Sequence, residues 1–145
     1  CKEAEFIQPW ADQQSELRGH LLFATSGSTC AGKWVALSKT ALLASARIVN
    51  QHLKADRNDR WLCSLPEFHV GGMGILARCY QAGSSVVHLS GKWDPSSFHA
   101  KLLAENITLT ALVPTQLVDL VQCKLSAPSS LRVVLIGGGR LEDQV

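Results

Sequence analysis

Short apolar runs alternate along this chain with longer stretches in which apolar residues recur every three or four positions. Residues 20–24 and 34–37 read as strands on either side of a Ser/Thr/Gly loop. Ser38 can cap a helix to about residue 54, because Leu42, Ala46, Val49 and Leu53 share one face. Residues 61–65 read as a strand stopped by Pro66, and 72–82 as a helix that Gly83 ends. A strand follows at 85–89. Asp94 then caps, and Pro95 opens, a helix to about residue 106. Residues 107–113 read as a strand, 114–123 as a helix, and 131–136 as a last strand running into Gly137, Gly138 and Gly139. Strands alternating with helices predict an α/β fold with right-handed crossovers and a mostly parallel, doubly covered sheet. Ligands in such sheets bind beyond the carboxyl ends of the strands. That rule directs attention to the loops after Ala24, Leu65, Val113 and Ile136.

Composition narrows this picture only modestly. The chain has 145 residues, 46% hydrophobic and 18% charged, enough for one core and unlike a disordered segment. Lys plus Arg less Asp plus Glu is 14 − 12 = +2, which gives no basis for a nucleic-acid partner or a polybasic membrane contact. No apolar run approaches the roughly 18 residues of a membrane span, and no signal peptide is visible. Residues 1–19 are polar and irregular and read as a lead-in. The chain starts at Cys1 rather than Met and is expected to be a piece of a longer protein. Its five cysteines form no CxxC pair, so scattered reduced thiols are expected rather than a zinc site or a disulfide framework.

The densest chemistry lies at Thr25-Ser26-Gly27-Ser28-Thr29-Cys30-Ala31-Gly32-Lys33. Glycines let backbone N–H groups turn toward an anion, hydroxyls add donors, and lysine adds charge. The combination suits a phosphate group. Residues 27–33 match G-x-x-x-x-G-K, the P-loop spacing, but that motif requires Ser or Thr next and a helix from the lysine. Here Trp34 follows, and 34–37 favours a strand. A P-loop NTPase piece and a non-catalytic nucleotide-binding α/β module stay open as alternatives.

Strand, Thr-Ser-Gly-Ser-Thr, then Lys33-x-Val35 resembles the phosphate loop of the adenylate-forming acyl-CoA synthetase superfamily, the AMP-binding enzymes. Cys30, Gly32 and Trp34 stand where that pattern has Gly, Pro and Gly. Leu65-Pro66-Glu67-Phe68-His69-Val70-Gly71-Gly72 resembles the superfamily's Leu-Pro-x-Phe/Tyr-His-x-x-Gly landmark. Ala111-Leu112-Val113-Pro114-Thr115-Gln116-Leu117 and Ile136-Gly137-Gly138-Gly139 resemble two later turns. All four occur in order, each at a predicted strand end.

From Phe68 to Gly91 the only Asp, Glu, Lys or Arg is Arg78. A guanidinium in an apolar helix either snorkels to water or meets a carboxylate in fork geometry. Residues 69–78, His-Val-Gly-Gly-Met-Gly-Ile-Leu-Ala-Arg, resemble the o-succinylbenzoate–CoA ligase family of menaquinone biosynthesis.

The resemblance implies part of the large N-terminal domain of such a ligase, residues 20–145, truncated on its C-terminal side. ATP, Mg2+ and CoA are the implied cofactor and co-substrates, with an aromatic carboxylic acid as the activated partner. Thr25, Ser26, Gly27, Ser28, Thr29 and Lys33 would hold phosphates. Gly137, Gly138 and Gly139 would lie along the adenylate. His69 would border the acid pocket and Arg78 would clamp a distal carboxylate. No catalytic residue or metal ligand falls within the chain, whose 145 residues alone are expected to be inactive. A cytoplasmic location is implied, and a homo-oligomer is left open.

Overall fold

The computed structural model describes residue 9, residues 11–25 and residues 33–140. These fall into two compact units, Cys1–Ser45 and Ala46–Val145.

In the first unit, β1 (His20–Thr25) and β2 (Lys33–Ser38) pair antiparallel, from His20 opposite Ser38 to Thr25 opposite Lys33. Ser15–Leu17, inside the expected irregular lead-in, forms a 3-10 turn, and Ala11 is buried. The ribbon is a sheet of its own and does not join the parallel one. A connection as short as the one after Thr25 cannot make the crossover that parallel neighbours need. Helix α1 (Lys39–Leu53) starts where expected, with the Ala41 N–H donating to Ser38 Oγ at 3.1 Å. Replacing Ser38 with Ala leaves that amide without its cap. The expected loss is about 1 kcal/mol of stability, read by urea unfolding.

In the second unit, β3 (Arg60–Cys63), β4 (Ser85–His88), β5 (Leu109–Leu112) and β6 (Val133–Ile136) form a parallel sheet ordered β4-β3-β5-β6. The register aligns Val86, Trp61, Leu109 and Val133 in one row, and Val87, Leu62, Thr110 and Val134 in the next. Because side chains alternate between faces, the rows build two cores. Trp61, Cys63, Leu109 and Ala111 pack with Ile75 and Cys79 of α2 (Val70–Ala82). On the other face, Leu62 and Leu112 pack with Phe98 and Leu102 of α3 (Pro95–Ala104) and Leu120 of α4 (Pro114–Gln122). The expected double cover is therefore present. Asp94 caps α3 through the Ser97 N–H at 2.7 Å, and Gly83 ends α2 at φ 68°.

Helix α2 begins at Val70, two residues earlier than the glycine-rich sequence suggests. Gly71 and Gly72 read as breakers by propensity, yet the helix runs through them. The reason is packing: a Cβ on Gly72 would lie 2.3 Å from the Pro66 carbonyl oxygen.

At the amino-terminal edge of the sheet, buried Asp59 forms a bidentate pair with Arg132 at 2.6 and 3.0 Å. It also accepts from Thr108 Oγ1 at 2.7 Å and from the Asp56 N–H at 3.0 Å. Arg132 in turn donates to the carbonyl oxygens of Leu53 and Lys54 at the end of α1. One residue pair thus joins the starts of three strands to a helix end.

Candidate functional site

Strand β3 leads into α2 on one face of the sheet, and β5 leads into α4 on the other. Adjacent strands whose connections leave to opposite faces open a crevice beyond their carboxyl ends, where α/β proteins hold ligands. Three expected segments meet that end of the sheet: residues 64–69 after β3, Val113 and Pro114 after β5, and Gly137, Gly138 and Gly139 after β6. The last two are in contact range, since a Cβ on Gly138 would lie 3.4 Å from Val113 Cγ1 and one on Gly139 3.5 Å from Pro114 Cγ. Gly138 has φ 78°, which favours glycine there. Gln116 secures the turn by accepting from the Val113 N–H at 3.1 Å.

His69 is the N-cap residue of α2, exposed, with its ring 4.6 Å from that of Phe68. Phe68 is 73% exposed and Val70 55%, so His69 stands between two exposed apolar residues in the chain. In the turn between β3 and α2, an open cleft of about 400 Å³ is lined by Ser64, Pro66, Glu67, His88 and Leu89. His88 Nδ1 and Glu67 Oε1 are 2.8 Å apart at this cleft. Neither Glu67 nor His88 stood out in the sequence, because the pair joins a turn to a strand end.

Arg78 lies about 13 Å further along the α2 axis than His69, and the structure brings the two onto one helix without contact between them. Helical side chains slant toward the N-terminus, and the Arg78 guanidinium reaches back over Gly74: a Cβ there would lie 3.4 Å from Nη2. Its Cζ sits 5.6 Å from the centroid of the Trp61 ring. Nε is buried with no hydrogen-bond partner, and Arg78 makes no ion pair among the described residues. Burial pulls its pKa below the usual arginine value, opposed by the neighbouring Cys79 sulfur. Arginine nevertheless stays protonated in proteins. A partly desolvated cation without a counter-ion is a strong receptor for a carboxylate. Cys63 and Cys79 are free thiols whose pKa values burial pushes up.

On the phosphate loop, Ser26, Gly27, Ser28 and Thr29 lie outside the described residues, as do Cys30 and Gly32. The ends of the loop do not: β1 and β2 set Thr25 directly across from Lys33. Lys33 opens a strand. A P-loop requires a helix at that point, so the P-loop reading is corrected here: the backbone after the lysine is extended and paired.

A parallel sheet with connecting loops gathered at its carboxyl edge defines an α/β class that holds ligands at that edge. The sequence profile of the AMP-binding enzyme family matches residues 13–145, and the chain belongs to that family. A 2-succinylbenzoate–CoA ligase of Bacillus cereus strain Q1 is 35% identical over 141 residues, 95% of this chain and 28% of that protein. Among solved structures, a double variant of o-succinylbenzoate CoA synthetase from Bacillus subtilis, bound to its product analogue OSB-NCoA, matches with a TM-score of 0.76 at 30% identity. It covers 83% of this chain and 25% of that one. The same synthetase in complex with ATP and magnesium ion matches with a TM-score of 0.73 at 30% identity, over 81% of this chain and 25% of that one. The chain thus spans about a quarter of the length of these relatives.

Proposed function

We propose that this chain supplies the ATP-gripping loop and part of the acid pocket of an acid–CoA ligase acting on 2-succinylbenzoate. In the first half-reaction a carboxylate oxygen attacks the α-phosphorus of ATP, and pyrophosphate leaves. In the second, the CoA thiol attacks the acyl carbon, and AMP leaves as the thioester forms. Such chemistry depends on positioning and charge neutralisation more than on a protein nucleophile.

Ser26, Ser28, Thr29 and Lys33 hold the β- and γ-phosphates, Thr25 anchors the loop's start, and Gly27 leaves room for close approach. The hydroxyl and lysine donors suit phosphate oxygens, and Mg2+ would accompany ATP and supply charge neutralisation at its phosphates. Gly137, Gly138 and Gly139 lie along the adenylate, where a side chain would intrude. His69 borders the acid. In this reading residues 20–145 form part of a larger N-terminal nucleotide-binding domain, and ATP and CoA as co-substrates favour the cytoplasm.

The observation that carries the choice of acid is Arg78: a half-buried guanidinium with an unpartnered Nε on the helix that His69 caps. A distal carboxylate would complete its fork. Arg78→Ala is expected to weaken binding of 2-succinylbenzoate about tenfold to a hundredfold, the worth of a charge-assisted hydrogen bond. Binding of benzoate, which lacks the second carboxylate, is expected to change little. Calorimetric titration of both acids, with ATP–pyrophosphate exchange as the activity readout, checks this in the whole ligase that contains this chain. Equal losses for the two acids would overturn the 2-succinylbenzoate assignment.

A further inference from the structure

The row of the sheet beneath α2 holds a residue whose chemistry packing alone does not explain. Trp61 is fully buried on β3 between Val86 and Leu109, and its indole N–H has no hydrogen-bond partner. A stranded N–H is unfavourable in a core. Leu or Phe would fill much of the same space without it. What the indole offers in return is its electron-rich face, and Arg78 lies over that face at 5.6 Å, within cation–π range.

The remaining surroundings of Arg78 favour the same pose. Gly74 presents no side chain beneath the guanidinium, so the flat group can settle over the helix. Asn50, itself buried, donates from Nδ2 to the Arg78 carbonyl oxygen at 2.9 Å and holds the backbone from which the side chain springs. A long arginine loses much rotamer freedom when it is fixed in one pose. A platform that fixes it beforehand reduces the loss on binding a ligand.

We infer that Trp61 is a positioning residue: its ring face holds the Arg78 guanidinium in the orientation that receives a second carboxylate, and so sets the preference for dicarboxylic over monocarboxylic acids. This rests on the reading of Arg78 as the counter-ion of the acid. Trp61 never touches substrate, and its effect passes entirely through Arg78.

The test compares Trp61→Leu, Trp61→Phe, Arg78→Ala and the Trp61→Leu/Arg78→Ala double variant, titrating each with 2-succinylbenzoate and with benzoate. Trp61→Leu is expected to weaken 2-succinylbenzoate binding about fivefold to tenfold, the range of a desolvated cation–π contact, and to leave benzoate unchanged. Trp61→Phe, which keeps a ring, recovers most of the loss. In the Arg78→Ala background Trp61→Leu has no further effect on discrimination. A second measurement leaves the core intact. In the unaltered protein labelled with 5-fluorotryptophan, the Trp61 fluorine resonance, assigned by its loss in Trp61→Phe, moves on adding 2-succinylbenzoate. It stays in place with benzoate, and in Arg78→Ala with either acid. A resonance that stays still while Arg78→Ala weakens binding overturns the role of Trp61 and leaves that of Arg78 standing. So does an equal loss for both acids in Trp61→Leu. If binding is indifferent to Arg78→Ala, both roles fall together.

Discussion

Replacing Asp59 by Ala lowers the unfolding free energy by about 3 kcal/mol, because it breaks a buried pair from one side. The Asp59 carboxylate accepts from Arg132 Nε and Nη2, Thr108 Oγ1 and the Asp56 N–H. Removing it strands those donors, and it loosens Arg132 from the end of α1. Arg132 is 39% exposed, so water recovers part of its solvation and keeps the loss from being larger. Urea unfolding at neutral pH measures the difference. A loss below about 1 kcal/mol would show that the pair is only a surface contact.

The same residue gives the fold a definite pH dependence. Burial by itself would raise the Asp59 pKa. The hydrogen bonds from Arg132, Thr108 and the Asp56 amide, together with the Arg132 charge, outweigh it and hold the carboxyl below its ordinary value. A carboxyl depressed in the folded state binds its proton more readily when unfolded. Its contribution is therefore complete above the unfolded pKa of about 4 and is lost as pH falls through the lower folded value. Asp59→Asn imitates the protonated carboxyl. The stability gap between the unaltered protein and Asp59→Asn is expected to be widest at neutral pH and to close as the solution is acidified below pH ~4. Unfolding curves at several acidic pH values follow that closure, and a gap constant with pH would show that the charge is not what stabilises the site.

This pair also shows where reading the chain by pattern runs out. Local signals found the features that local chemistry makes: the Ser38 and Asp94 caps, the Gly83 stop, and the alternation of four strands with three helices that builds the parallel sheet. Asp59 and Arg132 are 73 residues apart, and no periodicity connects them. Trp61 looks like any core strand residue until the fold places Arg78 above it. The ribbon was legible as two strands, but its antiparallel pairing depends on the length of the connection rather than on the strands. At the site, His69, Arg78 and the three glycines stood out because their residue types are unusual at strand ends or within an apolar helix. The Glu67–His88 pair did not, since its members are unremarkable singly and meet only through the sheet.

Gly72→Ala is expected to be the most disruptive single-methyl change in α2, and Gly71→Ala beside it nearly harmless. A Cβ at Gly72 would lie 2.3 Å from the Pro66 carbonyl oxygen, 2.7 Å from its carbonyl carbon and 2.8 Å from the Leu65 oxygen. These are backbone atoms of the turn that joins β3 to α2, and the same Pro66 oxygen accepts from the His69 N–H at 3.1 Å. Backbone held at both ends cannot step aside like a side chain, so the turn or the helix must shift. Overpacking of this kind costs about 3 kcal/mol, well beyond the roughly 1 kcal/mol that alanine returns through helix propensity. At Gly71 the nearest atom is Leu65 Cδ1 at 3.2 Å, the tip of a flexible side chain. There the propensity gain offsets a small adjustment, and the net change is expected within about 1 kcal/mol of zero. The contrast extends to function, because the turn that Gly72 locks is the one that sets His69 at the head of the helix. Gly72→Ala should therefore weaken acid binding as well as stability, whereas Gly71→Ala should preserve both. Paired unfolding and acid-titration measurements on the two variants test this directly. A Gly72→Ala protein as stable as Gly71→Ala would mean that the turn yields freely, and that the contact between helix and turn does not position His69.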